Sequence, residues 1–207
     1  MDQERTRPRS RDGVLSQGQE KGEKYIVVEI GSGKDPLPTV RGVTNAYRGR
    51  IHENPDIYYF GVDRNFERLA YGRDKLALMD KVRKFDPHEL LFVEAEGENL
   101  PFASDSVSEV VLKDVLGDIE VGRKMKEGMI ADATRVLKLG GTLKVIERKS
   151  PPSQDAVLSL VAVSSEGRLA VADPALVSPE DRGFDEQVLE PLLYPSAFVL
   201  RLSKKSA

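Results

Sequence analysis

Short apolar runs alternate, from Tyr25 onward, with segments whose apolar residues recur at helical spacing. This alternation is typical of a parallel sheet with helices packed on its faces. The apolar runs predict strands at Tyr25–Ile30, Ile57–Val62, Leu90–Glu94, Glu109–Leu112, Thr142–Ile146 and Ala197–Leu202. An α/β fold is therefore expected from the pattern alone.

Helical spacing predicts three helices between these strands. The apolar positions that define them are Val40, Val43, Tyr47 and Ile51 for the first, Phe66, Leu69, Ala70, Leu76, Met79 and Val82 for the second, and Met125, Met129, Ala133, Val136 and Leu137 for the third. The third helix is expected to stop at Gly140 and Gly141, because glycine accepts the left-handed backbone of a helix C-cap.

Composition limits the possible functions. The chain has 207 residues, 40% of them hydrophobic, so one domain is expected over residues 25–207. A net charge of −3 gives no long-range field that would attract nucleic acid or an anionic membrane. The absence of cysteine excludes disulfides and thiolate chemistry, and with two histidines no metal site is expected. No apolar stretch approaches the roughly 20 residues that span a bilayer, so we expect a cytoplasmic protein without a membrane segment.

Residues 1–24 are charged and nearly free of apolar side chains. Such a segment cannot bury enough surface to order itself, so we predict a flexible N-terminal arm. The alternative is a lid that contacts a substrate through Arg5, Arg7, Arg9 and Arg11. Interleaved acids dilute that basic cluster.

Two strand ends mark the candidate functional site. The first strand runs into Gly31, Ser32 and Gly33, and the second ends in Asp63. Ligands of open α/β sheets bind at the carboxyl ends of the strands. Glycines at that place let the backbone turn sharply and approach a ligand closely. The pattern predicts a nucleoside pocket that could serve an NTP, NAD or a methyl donor.

Neighbouring residues argue against the first two of these ligands. A phosphate-binding loop needs glycine where this chain has Val28, and a magnesium-binding hydroxyl where it has Asp35. A dinucleotide fingerprint needs a third glycine, where Pro36 stands, and an acid closer to the glycines than Asp63. The sequence therefore favours neither an NTPase nor a dehydrogenase.

Four segments follow one another in order: VEIGSGK, YYFGVD, EGENLPFASDSVSEVVL and ATRVLKLGGTLKVIE, all within residues 25–147. Together they resemble the class I S-adenosylmethionine-dependent methyltransferases. The resemblance implies a Rossmann-like fold, with a mostly parallel seven-stranded sheet, helices on both faces and an antiparallel last strand. It also implies S-adenosyl-L-methionine as the cofactor and methyl transfer as the activity.

The resemblance gives each of the first two strand ends a role. Gly31 and Gly33 would lie under the methionine and ribose part of the cofactor, where only backbone fits. Glu29 would reach the cofactor's amino group, directly or through water. Asp63 would accept hydrogen bonds from both ribose hydroxyls. Further cofactor contacts are expected at Ser32, Arg64 and Lys113.

Positions after the third and fourth strands complete the expected site. Glu96 and Gly97 would pass the adenine edge, with Glu94 as a competing acid two residues earlier. Methyl transfer needs from the protein an in-line approach of the nucleophile and, at times, a base. Asp114 is the candidate base and Asp118 the alternative, against the competing interpretation that both are solvated loop acids.

The chain departs from the family pattern at two places. Asp35 and Pro36 replace a third glycine; Asp35 can cap the following helix, although its charge would lie near the cofactor's carboxylate. The loop LKDVLGD lacks the Asp/Asn-Pro-Pro-Tyr/Phe motif of amino-methylating enzymes and the cysteine used for carbon methylation. An oxygen acceptor, or a nitrogen acceptor of another kind, is therefore expected.

No motif identifies the acceptor. A small molecule is favoured over RNA, although residues 53–65, ENPDIYYFGVDRN, also resemble the second-strand region of tRNA guanine methyltransferases. The alternative from another functional class is a non-catalytic binding or regulatory subunit with this fold. We expect a monomer or a homodimer.

The segment after the fifth strand is expected to complete the sheet. The resemblance implies a helix near Gln154–Val163, a sixth strand at Phe184–Leu189 and an antiparallel seventh strand within residues 195–205. His52 and His88 lie in polar surroundings and are predicted to be surface residues.

Overall fold

The structure is a computed structural model that describes residues 24–34, 36, 57–83, 90–147, 154–171 and 198–206. Its strands are β1 (Tyr25–Ile30), β2 (Ile57–Asp63), β3 (Leu90–Glu94), β4 (Val107–Lys113), β5 (Leu137–Glu147), β6 (Leu169–Val171) and β7 (Phe198–Lys204). Its helices are α1 (Phe66–Arg83), α2 (Arg123–Val136) and α3 (Gln154–Ser164). The six strands predicted from apolar runs and the helices predicted at the positions of α1 and α3 are confirmed.

The strands form one seven-stranded sheet in the order β3-β2-β1-β4-β5-β7-β6. β1 to β5 are parallel, β7 is antiparallel to β5, and β6 is antiparallel to β7. Within this sheet β7 is therefore the reversed strand, and β6 runs with the others. The predicted Rossmann-like fold is confirmed. The strand order changes direction between β1 and β4, which is where open α/β sheets bind ligands.

The main apolar core lies between one face of the sheet and helices α2 and α3. Val28 and Leu143 of the sheet, and Ile130 and Val157 of the helices, are each at most 1% exposed. Burying such aliphatic side chains contributes about 1.5–3 kcal/mol each. This packing holds the sheet in place, and the positions of the strand ends follow from it.

The opposite face of the sheet carries buried charges. Lys113 Nζ lies 2.9 Å from Glu29 Oε1, and Lys144 Nζ lies 3.2 Å from Glu109 Oε1. The Tyr25 hydroxyl donates to the other oxygen of Glu109 at 3.1 Å. Each ion pair joins two neighbouring strands. Each buried charge thereby has the partner that it needs away from water.

The end of α2 differs from the prediction. The helix ends at Val136, and Leu137 already has extended backbone angles (φ −61°, ψ 130°). β5 begins at Leu137 because this residue pairs with Val107 of β4. Gly140, with φ 75°, lies inside β5. The predicted glycine C-cap was therefore wrong, because Gly140 and Gly141 belong to β5 and not to the end of the helix.

Several predictions fall outside the described residues. They are residues 1–23 of the arm predicted over residues 1–24, Asp35, the helix defined by Val40, Val43, Tyr47 and Ile51, His52, His88 and the strand Phe184–Leu189. The short strand β6 was not predicted. In the described part of the chain, no helix is both long and apolar enough to cross a membrane.

Candidate functional site

A cleft opens at the carboxyl ends of β1 to β4, with an empty volume of about 690 Å³ that is partly open to solvent. Of the ten predicted site residues, seven line this cleft: Gly31, Asp63, Arg64, Glu96, Gly97, Lys113 and Asp114. The other three, Glu29, Ser32 and Gly33, belong to β1 and the turn that follows it. The sheet therefore brings together residues that are distant in sequence.

The turn after β1 depends on its glycines. Gly31 has φ 74° and Gly33 has φ 50°, a backbone region that favours glycine. The N–H groups of Gly31 and Ser32 both donate to Val62 O, at 2.8 and 3.2 Å, and so tie the turn to β2. A Cβ on Gly31 would lie 2.7 Å from Val115 Cγ2, so only a bare backbone fits against the loop after β4.

Asp63 ends β2 and is 8% exposed. Its Oδ1 accepts the N–H of Asn65 at 2.9 Å, and its Oδ2 lies 3.4 Å from where a Cβ of Gly33 would be. Ser32, between the two glycines, is buried, with its Oγ 2.9 Å from where a Cβ of Gly61 would be. The Asp63 carboxylate is thus held against the glycine turn at the edge of the cleft.

Glu29 is fully buried in β1, and both of its carboxylate oxygens contact side chains. Lys113 Nζ lies 2.9 Å from Oε1, and the Tyr59 hydroxyl donates to Oε2. Lys113, rather than Glu29, lines the cleft. The resemblance implied a contact between Glu29 and the cofactor's amino group, but the sequence did not indicate that Lys113 pairs with this acid.

Glu96 and Gly97 follow β3 on the wall of the cleft. Glu96 is exposed, whereas Gly97 is buried, and a Cβ on it would lie 2.6 Å from Ile30 Cγ2. Glu94, the competing acid, pairs in register with Asp63 at the end of β3 and does not line the cleft. The geometry therefore favours Glu96 of the two acids.

The loop after β4 carries the candidate base. Asp114 has φ 54°, donates its N–H to Ile146 O at 2.8 Å, and is partly exposed in the cleft. Glu147, at the end of β5, accepts the N–H groups of Leu116 at 2.7 Å and Gly117 at 3.0 Å. The two neighbouring strand ends together fix this loop.

Glu147 was missed by the sequence reasoning. It is fully buried, and this burial raises its pKa to about 7, against the opposing effect of the backbone N–H groups that it accepts. That value of the pKa includes a smaller rise caused by the negative charge of Asp114. The signal in the sequence was the same as for Asp63, an acid that ends an apolar run.

Exposed charges surround the mouth of the cleft. Arg64 lies between β2 and α1, Arg68 lies in the first turn of α1, and Asp118 and Glu120 lie in the loop after β4. Asp118 Oδ1 accepts the N–H of Glu120 at 2.8 Å, so the alternative base also caps its own loop. Among the described residues, no group of three or more His, Asp or Glu side chains is placed to hold a metal ion.

The chain matches one family of known proteins. Residues 44–145 match a family model described as a methyltransferase domain. No curated protein matches the chain at a significant level.

Solved structures share the fold at low sequence identity. A chain from a Haloferax volcanii complex of a methyltransferase activator with a candidate methyltransferase is 15% identical, with a TM-score of 0.56 over 89% of this chain and 84% of that chain. The aminoglycoside resistance methyltransferase NpmB1 is 15% identical, with a TM-score of 0.58 over 88% and 89%. The geranyl diphosphate C-methyltransferase of Streptomyces coelicolor A3(2), in complex with S-adenosyl-L-homocysteine, is 12% identical, with a TM-score of 0.53 over 88% and 73%.

Proposed function

We propose that this chain, a member of the class I S-adenosylmethionine-dependent methyltransferase family, binds S-adenosylmethionine in the cleft and transfers its methyl group to an acceptor. The position of Asp63 carries this proposal. Its carboxylate lies at the end of β2 against the glycine turn. A carboxylate so placed suits the two hydroxyls of a ribose, since it offers several acceptor sites at once.

The other residues of the cleft fit the same cofactor. Gly31 and Gly97 line the cleft at positions where a Cβ would collide with Val115 and Ile30, so each presents bare backbone there. Glu96 is exposed on the adjacent wall, where it can accept a hydrogen bond from the exocyclic amine of adenine.

Methyl transfer requires little covalent chemistry from the protein. When bound, the cofactor supplies an activated methyl group on its sulfonium. The chain must orient an acceptor in line and remove its proton where it carries one. Asp114 is the proposed proton acceptor, because it is partly exposed in the cleft, and Asp118 in the same loop is the alternative.

The proposed acceptor is an oxygen or nitrogen nucleophile of a small molecule. Carboxylates near the mouth suit the removal of a proton from a hydroxyl or an ammonium group. The net charge of −3 does not supply the positive field with which RNA-binding surfaces attract phosphates.

Calorimetry with S-adenosylmethionine and S-adenosylhomocysteine tests the cofactor. The unmutated protein is expected to bind both, and Asp63→Ala to bind about 100-fold more weakly because two hydrogen bonds to a charged group are lost. Asp74→Ala, which removes an exposed acid of α1 outside the cleft, is the control and should bind normally. If the unmutated protein binds neither compound, the proposed function is wrong; if Asp63→Ala binds as well as the unmutated protein, the ribose assignment alone is wrong.

Transfer of a labelled methyl group distinguishes an enzyme from a binding protein. Label from S-adenosylmethionine is expected in the small-molecule fraction of a cell extract treated with the protein. Label in RNA would overturn the choice of acceptor. Cofactor binding without transfer to either fraction would instead support a non-catalytic subunit.

A further inference from the structure

The ion pair between Lys113 and Glu29 is an unusual way to build the centre of a sheet. The side chains are 5% and 0% exposed, and their charged atoms are 2.9 Å apart. A buried ion pair stabilises a fold no better than apolar side chains of the same volume, because both charges must be removed from water. This pair differs from Glu109–Lys144 because its lysine lines the cleft, where its charge can also serve ligand binding.

Register places the two charges at different depths. Glu29 stands opposite Val111 of β4, and Ile30 stands opposite Leu112. Lys113 is therefore level with Gly31, the first residue of the glycine turn. Since Lys113 and Val111 point to the same face of the sheet, Glu29 lies one pleat below Lys113. This explains why Lys113 lines the cleft while Glu29 supports it from behind.

We propose that Lys113 binds the carboxylate of the cofactor's methionine end. Glu29 holds the ammonium group of Lys113 in place, and Tyr59 in turn holds the carboxylate of Glu29. The inference rests on the proposed function, which puts the methionine part of the cofactor beside the glycine turn. An ammonium attracts a carboxylate strongly when both are shielded from water. Arg64 and Arg68, the other cations of the cleft, are exposed and so provide a weaker site.

Lys113 thereby determines donor specificity, because it selects a donor that carries a carboxylate. Glu29 is a positioning residue that balances the charge of the lysine. The chain would discriminate between S-adenosylmethionine and its decarboxylated form, which differ in this group alone.

Calorimetry with these two donors tests the inference on the full chain. The unmutated protein is expected to bind decarboxylated S-adenosylmethionine about 10- to 100-fold more weakly than S-adenosylmethionine, the effect of one hydrogen-bonded charge pair. The double variant Lys113→Met with Glu29→Gln removes both charges together and leaves no unpaired buried ion. Its two affinities should differ by less than about threefold.

Arg68→Met is the matched control, since it removes another cation that lines the cleft. Its preference for the carboxylated donor should equal that of the unmutated protein. Lys113→Arg, which keeps a cation, should retain most of the preference. If the double variant shows no cooperative thermal transition, the double variant Lys113→Gln with Glu29→Gln, which also leaves no unpaired buried ion, replaces it in the same comparison.

The outcomes separate this inference from the function on which it rests. Failure of the unmutated protein to bind either donor overturns the proposed function. Equal binding of both donors by the unmutated protein overturns the role of Lys113 and leaves the function intact. A preference that survives the loss of Lys113, or that disappears in Arg68→Met, assigns the carboxylate to another group.

Discussion

At the scale of single residues, acids at the ends of strands make several of the contacts that shape the site. Asp63 and Glu147 both end apolar runs, yet only the first was predicted to have a role. The sequence shows that such an acid has little packing reason to follow an apolar run, but it does not show which groups the acid contacts. Asp63 faces the glycine turn, whereas Glu147 holds the N–H groups of the next loop. The contact of Glu29 with Lys113 was missed for a similar reason, because it depends on the register between β1 and β4.

The raised pKa of Glu147 predicts a pH-dependent stability. Burial raises this pKa from 4.5 to about 7, so between these values the folded protein binds the proton more tightly than the unfolded chain. The free energy of unfolding therefore gains from Glu147 at low pH and loses this gain as the pH rises toward 7. The loss is on the order of 3 kcal/mol.

Urea unfolding at pH 5 and pH 8 measures this effect against Glu147→Gln. The variant has no titrating carboxyl, so the difference in unfolding free energy between the two proteins should shift in favour of the variant at pH 8. Other titrating groups affect both proteins alike. A difference that is the same at both pH values would show that Glu147 titrates normally.

At the scale of elements, helix α2 supports the cleft through the segment that follows β3. Arg135 donates to Leu100 O at 3.0 Å and Phe102 O at 2.8 Å, and Asp132 accepts the N–H of Leu100 at 2.6 Å. Arg135 and Asp132 also bind each other. This pair attaches the chain just after Gly97 to the helix.

Arg135→Met should lower the free energy of unfolding by about 1–3 kcal/mol, because two carbonyl groups and Asp132 lose a charged partner. Arg123→Met is the matched control on the same helix: its partner Glu127 is one turn away and the arginine is 80% exposed. That pair contributes about 0.3–0.5 kcal/mol at most. Equal losses of stability, measured by chemical denaturation, would contradict the supporting role of Arg135.

The elements themselves were largely predictable from periodicity. β1 and β3 match their predicted bounds, because polar or glycine residues end both apolar runs. The start of β5 was not predictable, because Leu137 has helical spacing from Ala133 and yet pairs with Val107. β6 has three residues and exists through its pairing with β7, a contact that local sequence does not encode.

At the scale of the whole molecule, the cleft is assembled from the ends of four parallel strands. A ligand bound there contacts residues whose relative positions depend on the folded sheet. Unfolding destroys the site, so binding adds directly to stability. This linkage gives a test that requires no knowledge of the acceptor.

S-adenosylhomocysteine at 100 times its Kd should raise the free energy of unfolding by about 2.7 kcal/mol. For a chain of this size the thermal midpoint should rise by about 5–10 °C. Asp63→Ala, which is expected to bind about 100-fold more weakly, would be about half occupied at the same ligand concentration, so its thermal midpoint should rise by only about 1–2 °C. An equal shift in both proteins, measured by scanning calorimetry, would show that Asp63 does not hold the ligand.

The two ion pairs buried within the sheet also bear on how the chain avoids misfolding. If β4 slipped by one residue against β1, every side chain of β4 would turn to the opposite face. Lys113 would then enter the apolar core, and Glu29 would remain buried without its counter-charge. The pairs Glu29–Lys113 and Glu109–Lys144 would both be broken by such an error. The charges thus penalise incorrect strand registers, and they do so before any ligand arrives.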